Sequence, residues 1–97
     1  MKVLNRGVLE DCQRTHAEIK GRLAAWLAEA TAATWTSPND LKARFPSASL
    51  LANNRCVFNI GGNRYRLVAQ INYEVGVVLV RWCGTHAEYD RIDAETI

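Results

Sequence analysis

The residues of this chain best suited to chemistry fall in two short runs. One is RYR, which puts Arg64 and Arg66 at alternate positions; the other is GTHAEYD, Gly84 to Asp90. A guanidinium fork binds oxyanions such as phosphate in a bidentate manner. Imidazole has an ordinary pKa of about 6.5, close to neutrality, and His86 is one of the two histidines in the chain. Thr85 and Glu88 fit the T-x-x-E pattern of a capping box, which places a helix start here. Within that helix His86, Tyr89 and Asp90 are three and four positions apart and can share a face. Free N–H groups at a helix start, beside arginines on a sheet, also make a good place for an anion. Each residue has a plainer reading as well. Alternating arginines on a small sheet can be its solvated face, Glu88 can be a cap and nothing more, and His16 reads as structural or a spectator. Cys83, His86 and Asp90 are three ligands of mixed type with no fourth at a suitable spacing, so no metal centre is read here.

These groups need elements to position them, and the chain divides cleanly. Met1 to Leu4 is either a short edge strand or the lead into a helix. From Gly7 the pattern is helical, with Val8 and Cys12 on one face and Glu10 four residues before Arg14. Ile19, Leu23, Trp26, Leu27 and Ala30 then form one apolar stripe, the mark of a second helix, with Gly21 as the only weak point. Ser37-Pro38-Asn39-Asp40 has a cap residue, proline at the first helical position and an acid in the first turn; Pro46 ends that short helix. The segment after it reads as a loop that turns at Asn53-Asn54. Three strands follow, Cys56 to Ile60, Arg64 to Asn72 and Val77 to Cys83, joined by a Gly61-Gly62-Asn63 hairpin loop and a turn at Tyr73 to Gly76. On the middle strand Tyr65, Leu67, Ala69 and Ile71 alternate with Arg64, Arg66, Val68 and Gln70. The first set is the core face, so the arginines point away from it. Helices followed by an antiparallel meander predict an α+β domain with one sheet face open.

Length and composition agree with one small domain spanning residues 1–97. With 48% hydrophobic and 23% charged residues the chain has an ordinary globular composition, and a net charge of +2 permits an anionic partner without demanding one. The N-terminus lacks the long apolar run of a signal peptide, and LAAWLA and VGVVLV are too short to cross a bilayer. Cys12, Cys56 and Cys83 form no CxxC pair or even-numbered framework, which points to free thiols in a reducing cytoplasm. No P-loop, GxSxG or HExxH motif is present.

FNIGGNRYRL (Phe58 to Leu67) and GTHAEYD, with DLKARFPSAS (Asp40 to Ser49) before them, resemble the HigB family of bacterial type II toxins, within the RelE/ParE superfamily. The resemblance covers nearly the whole chain. It implies helices packed on one face of a small antiparallel sheet, with a short C-terminal helix. It also implies a cytoplasmic, ribosome-dependent mRNA endoribonuclease, neutralised by a HigA-like helix-turn-helix antitoxin and using no cofactor. In such a cut the RNA 2′-hydroxyl attacks the adjacent phosphate. The resemblance gives Arg66 the scissile phosphate and Arg64 that phosphate or its neighbour. His86 takes proton transfer, and Tyr89 a proton, the sugar or a base. Asn59 and Asn63 position RNA, and Glu88 is an alternative base if it is not the cap. Some members carry lysine where Gly61 stands here, and Arg6, Arg55 or Arg81 can compensate for that missing cation. Two other classes stay open: a same-fold toxin that inhibits a protein target, as ParE-like members do, and a non-catalytic RNA- or protein-binding module.

Overall fold

The computed structural model describes all 97 residues. Its strands are β1 (Lys2–Leu4), β2 (Ser49–Leu50), β3 (Arg55–Ile60), β4 (Tyr65–Asn72) and β5 (Val77–Thr85). Its α-helices are α1 (Gly7–Thr15), α2 (Lys20–Ala32), α3 (Pro38–Arg44) and α4 (His86–Tyr89), with a 3₁₀ turn at Ala17–Ile19 between the first two. The strands form one sheet in the order β1-β5-β4-β3-β2. The meander β3-β4-β5 is antiparallel, while β1 joins the edge of β5 in parallel, pairing Lys2 with Val77 and Leu4 with Leu79. Parallel neighbours need a long crossover, and here nearly the whole chain supplies it.

The local signals explain these elements. Ser37 caps α3 by accepting a hydrogen bond from the Asp40 amide, with Pro38 at the first helical position. Gly21 does not break α2, because Leu23, Trp26 and Ala30 bury its stripe against the sheet. Asn53 and Asn54 both take positive φ, 60° and 58°, and turn the chain into β3. The preceding Ser49–Leu50 pairs with Val57 and Cys56 as β2, a strand too short for alternation to reveal. Gly61 and Gly62, at φ of 64° and 70°, make the β3–β4 hairpin loop.

The core lies between the sheet and the helices. Phe58, Leu67, Ala69, Ile71, Val78 and Val80 meet Ile19, Leu23, Trp26 and Leu41, and Trp26 packs edge-on to Phe58 at 5.3 Å. Tyr65, Leu67, Ala69 and Ile71 do face this core. The other sheet face is not fully open, which corrects the expectation. Val57 and Val68 are buried there beneath Ala94, with Leu51, Ile92 and Ile97 packed around them. The residues after α4 fold back because leaving two β-branched side chains in water would forfeit about 1.5–3 kcal/mol each. Arg55 is pulled under the same cover, where its Nη2 donates to the Ile97 main-chain oxygen at 2.8 Å.

Candidate active site

What the C-terminal cover leaves free is one end of that second face, next to the β3–β4 loop. Cross-strand register puts Asn59 beside Arg66 and Arg66 beside Gly84, so their positions form one row across three strands. Arg66 is held from its own hairpin. Its Nη2 donates to Asn63 Oδ1 at 2.8 Å, and its Nη1 to the main-chain oxygens of Asn63 and Tyr65 at 3.2 and 3.4 Å. These bonds leave Nε–H and one Nη2–H without a partner. The guanidinium carbon also lies 6.0 Å from the centre of the Tyr89 ring. Neither Arg66 nor Arg64 forms an ion pair with any carboxylate.

The wall opposite comes from α4, and its placement rests on the β5–α4 junction. The capping box expected from T-x-x-E is complete: Thr85 accepts from the Glu88 amide, and Glu88 Oε1 accepts from the Thr85 amide at 2.8 Å. The His86 amide donates to the Arg64 carbonyl at 2.9 Å, which ties the helix start to the arginine strand. His86 Nδ1 then lies 3.3 Å from Asp90 Oδ2, one turn on, while its Nε2 has no protein partner. Asp90 thus stands on the Nδ1 side of the ring, and the Nε2 edge is turned away from it. Arg66 thus meets Tyr89 of α4, and His86 and Asp90 face each other across the one turn of that same helix.

Trp82 is a member of the site that alternation did not reveal. Its ring centre lies 6.1 Å from that of Tyr89, and its indole lies across Gly84. A Cβ on Gly84 would come within 2.7 Å of Trp82 Cη2 and 2.9 Å of Glu88 Oε1, so only hydrogen fits there. Gly84→Ala is therefore expected to tilt the indole and push Tyr89 off Arg66. The cost in stability should be about 1–3 kcal/mol, measurable by urea denaturation, with a change in tryptophan fluorescence.

Several expected residues have other work. Asn63 orients Arg66, and Asn59, although next to Arg66, also donates weakly to the Ser47 carbonyl at 3.4 Å. Arg64 is exposed and near enough to Glu18 to help lower its pKa. Arg81 is the extra residue of a bulge, since Ala69 pairs with Val80 and Val68 with Trp82. Its Nε donates to the Ile97 main-chain oxygen at 2.9 Å, so that guanidinium is committed to the C-terminal cover. Glu88 is the cap, and its bond from the Thr85 amide holds its carboxyl below the usual range. A carboxylate held in this way is a poor proton acceptor. Cys83 packs on the core face against Cys12, and no three His, Cys, Asp or Glu side chains converge as metal ligands.

A pH dependence follows from Glu88. Its folded pKa is depressed, so its contribution is complete above the unfolded value of about 4.3 and is lost as pH falls through the folded one. Glu18, held low by the Tyr65 hydroxyl, and Asp40, held low by the Thr36 hydroxyl, have the same sign. The melting temperature should be flat with respect to these groups from pH 7 to about 5 and fall below about 4.3. Glu88→Gln should make that acid limb shallower.

The fold and the site together define a small α+β domain with an arginine free of carboxylates on a partly covered sheet face and a histidine–aspartate pair on the short helix that follows β5. Residues 19–92 match the model of the HigB toxin family, described as the RelE-like toxic component of a toxin–antitoxin system, and the chain belongs to that family. It is 32% identical to the mRNA interferase toxin HigB of Escherichia coli strain K12, over 93% of this chain and 88% of the relative. The mRNA interferase HigB of Shigella flexneri is equally similar, at 32% over the same shares. A further mRNA interferase HigB, from Escherichia coli O6:H1, is 24% identical over 95% of this chain and 91% of its own length. No helix of the chain is long and apolar enough to cross a membrane.

Proposed function

We propose that this chain, acting as a single domain over residues 1–97, is a ribosome-dependent mRNA endoribonuclease. Its reaction uses the RNA 2′-hydroxyl and no metal. The observation that carries this reading is the Arg66 guanidinium: held by Asn63, unpaired by any carboxylate, and set over Tyr89 of the short helix that also carries the His86–Asp90 pair. The names of the relatives support mRNA as the substrate.

In the proposed reaction the 2′-oxygen bonds to phosphorus as the bond from phosphorus to the 5′-oxygen breaks. The products are a 2′,3′-cyclic phosphate and a 5′-hydroxyl. A base takes the 2′-proton and an acid supplies one to the leaving oxygen. The free N–H groups of Arg66 bind the non-bridging oxygens, whose charge grows in the transition state, and Arg64 holds that phosphate or the next one. His86 transfers the proton through Nε2. Tyr89, beside Trp82, positions the sugar or stacks on a base. Asn59 lines the path of the strand, and Asn63 serves it through Arg66. Glu88 keeps its place as cap. DNA, lacking the 2′-hydroxyl, is not a substrate.

In the bacterial cytoplasm a HigA-like helix-turn-helix antitoxin holds the toxin inactive. The test is primer extension on mRNA from a translating extract given the purified protein. New 5′ ends in translated messages, absent when ribosomes are omitted, support the reading. Growth arrest with intact mRNA would favour a protein target instead, and salt-sensitive RNA binding without turnover a binding module.

A further inference from the structure

We propose that His16 is a positioning residue that sets α4, and with it His86 and Tyr89, through the carboxylate of Glu88. This rests on the reading of His86 and Tyr89 as reacting groups. His16 ends α1 and is 21% exposed at its side chain, at the point where the helical layer meets the start of α4. Three elements converge on its imidazole. Nε2 lies 3.7 Å from Glu88 Oε1, Nδ1 lies 3.9 Å from Glu18 Oε1, and the ring meets the Tyr65 ring edge-on at 5.2 Å. Tyr65 closes the circuit by donating its hydroxyl to Glu18 Oε1.

The oxygen that faces His16 is the one that accepts from the Thr85 amide and so begins α4. A helix of four residues cannot hold its own position, since nucleation costs more than one turn returns. Its placement depends on the capping box, on the His86 amide bonded to Arg64, and on the packing of Tyr89 against Trp82. His16 adds to the first of these. An imidazole N–H or imidazolium facing Oε1 stabilises the ionised carboxylate in the rotamer that caps, and Glu88 is held low partly by His16. The helical layer is thereby linked to the catalytic wall, although His16 touches no substrate.

The test uses the full chain with His16→Ala, His16→Gln and Glu88→Gln, singly and combined. Amide exchange at Thr85 and Glu88 reads the cap directly. Cleavage on programmed ribosomes, at saturating and half-saturating toxin, reads its consequence. His16→Ala should raise exchange at those two amides about 3- to 10-fold and lower the saturated rate by a similar factor, with half-saturation unchanged. Adding it to Glu88→Gln should cost nothing more, and His16→Gln, which keeps a donor, should recover part of the loss. Unchanged exchange in His16→Ala would overturn the proposal, as would exchange rising equally across the core amides of both His16 variants. If the wild type cleaves no RNA the endonuclease reading fails, and the exchange result still decides whether His16 sets α4.

Discussion

Arg66→Ala is expected to lower RNA cleavage by about 10²- to 10³-fold while leaving the fold intact. That range is typical for removing one preorganised donor from a developing oxyanion. Arg66 sits in the row Asn59, Arg66, Gly84, at the end of the face that the C-terminal residues leave uncovered. It is only half-buried, and its hydrogen bonds go to Asn63 and to one main-chain oxygen of Tyr65. Its removal leaves no buried charge behind. The melting temperature should therefore shift by no more than a few degrees, which thermal unfolding will read. Arg66→Lys should recover little, because an ammonium keeps the charge but loses the planar fork that Asn63 orients. Asn63→Ala should give a smaller loss of the same kind. Growth arrest on induction should fade in the same order.

His86→Ala is the second large effect, with a loss of about 10²- to 10⁴-fold in the cleavage step. Its side chain is 43% exposed and its Nε2 has no partner in the protein, so no core packing is lost with it. Binding should survive, since Arg64 and Arg66 remain. A filter-binding or anisotropy measurement should show His86→Ala on RNA nearly as tightly as the wild type, with the same steep decline in salt. Asp90→Asn keeps the size but removes the charge 3.3 Å from Nδ1. It should cost about 3- to 30-fold, between wild type and His86→Ala, because the ring remains but its orientation is less well set. Arrest that persists in both His86→Ala and Tyr89→Ala, with messages intact, would mean that the target is a protein.

Much of the site was legible in the residues because it follows local rules. Alternation on a strand has a period of two, so Arg66 opposite Tyr65 and Leu67 could be placed without coordinates, and Tyr65 and Leu67 are indeed in the core. The T-x-x-E box, the Ser37-Pro38 helix start and the Gly61-Gly62 loop are likewise matters of a few adjacent residues, and all three formed. The α+β class followed from the change of hydrophobic period along the chain. These features share one cause. Each depends on contacts within about four residues, or on one repeating period, and sequence alone carries both.

Other features depend on a partner that is distant along the chain. The second sheet face is partly closed by Ala94, Ile92 and Ile97, and nothing in their own pattern names Val57 and Val68 as their targets. That a Glu88 oxygen accepts from the Thr85 amide and faces His16, a residue read as structural or a spectator, is likewise visible only in the folded chain. The bulge at Arg81 decides most. Strict alternation would have sent Trp82 into the core behind Val78 and Val80. One unpaired residue reverses the parity of β5, so Cys83 goes to the core and Trp82 turns out onto Gly84 beside Tyr89. A bulge is a mismatch in count between two strands, so it exists only once β4 and β5 are paired. The residues carried the arginines and the capped helix; only the paired sheet put Trp82 beside Tyr89.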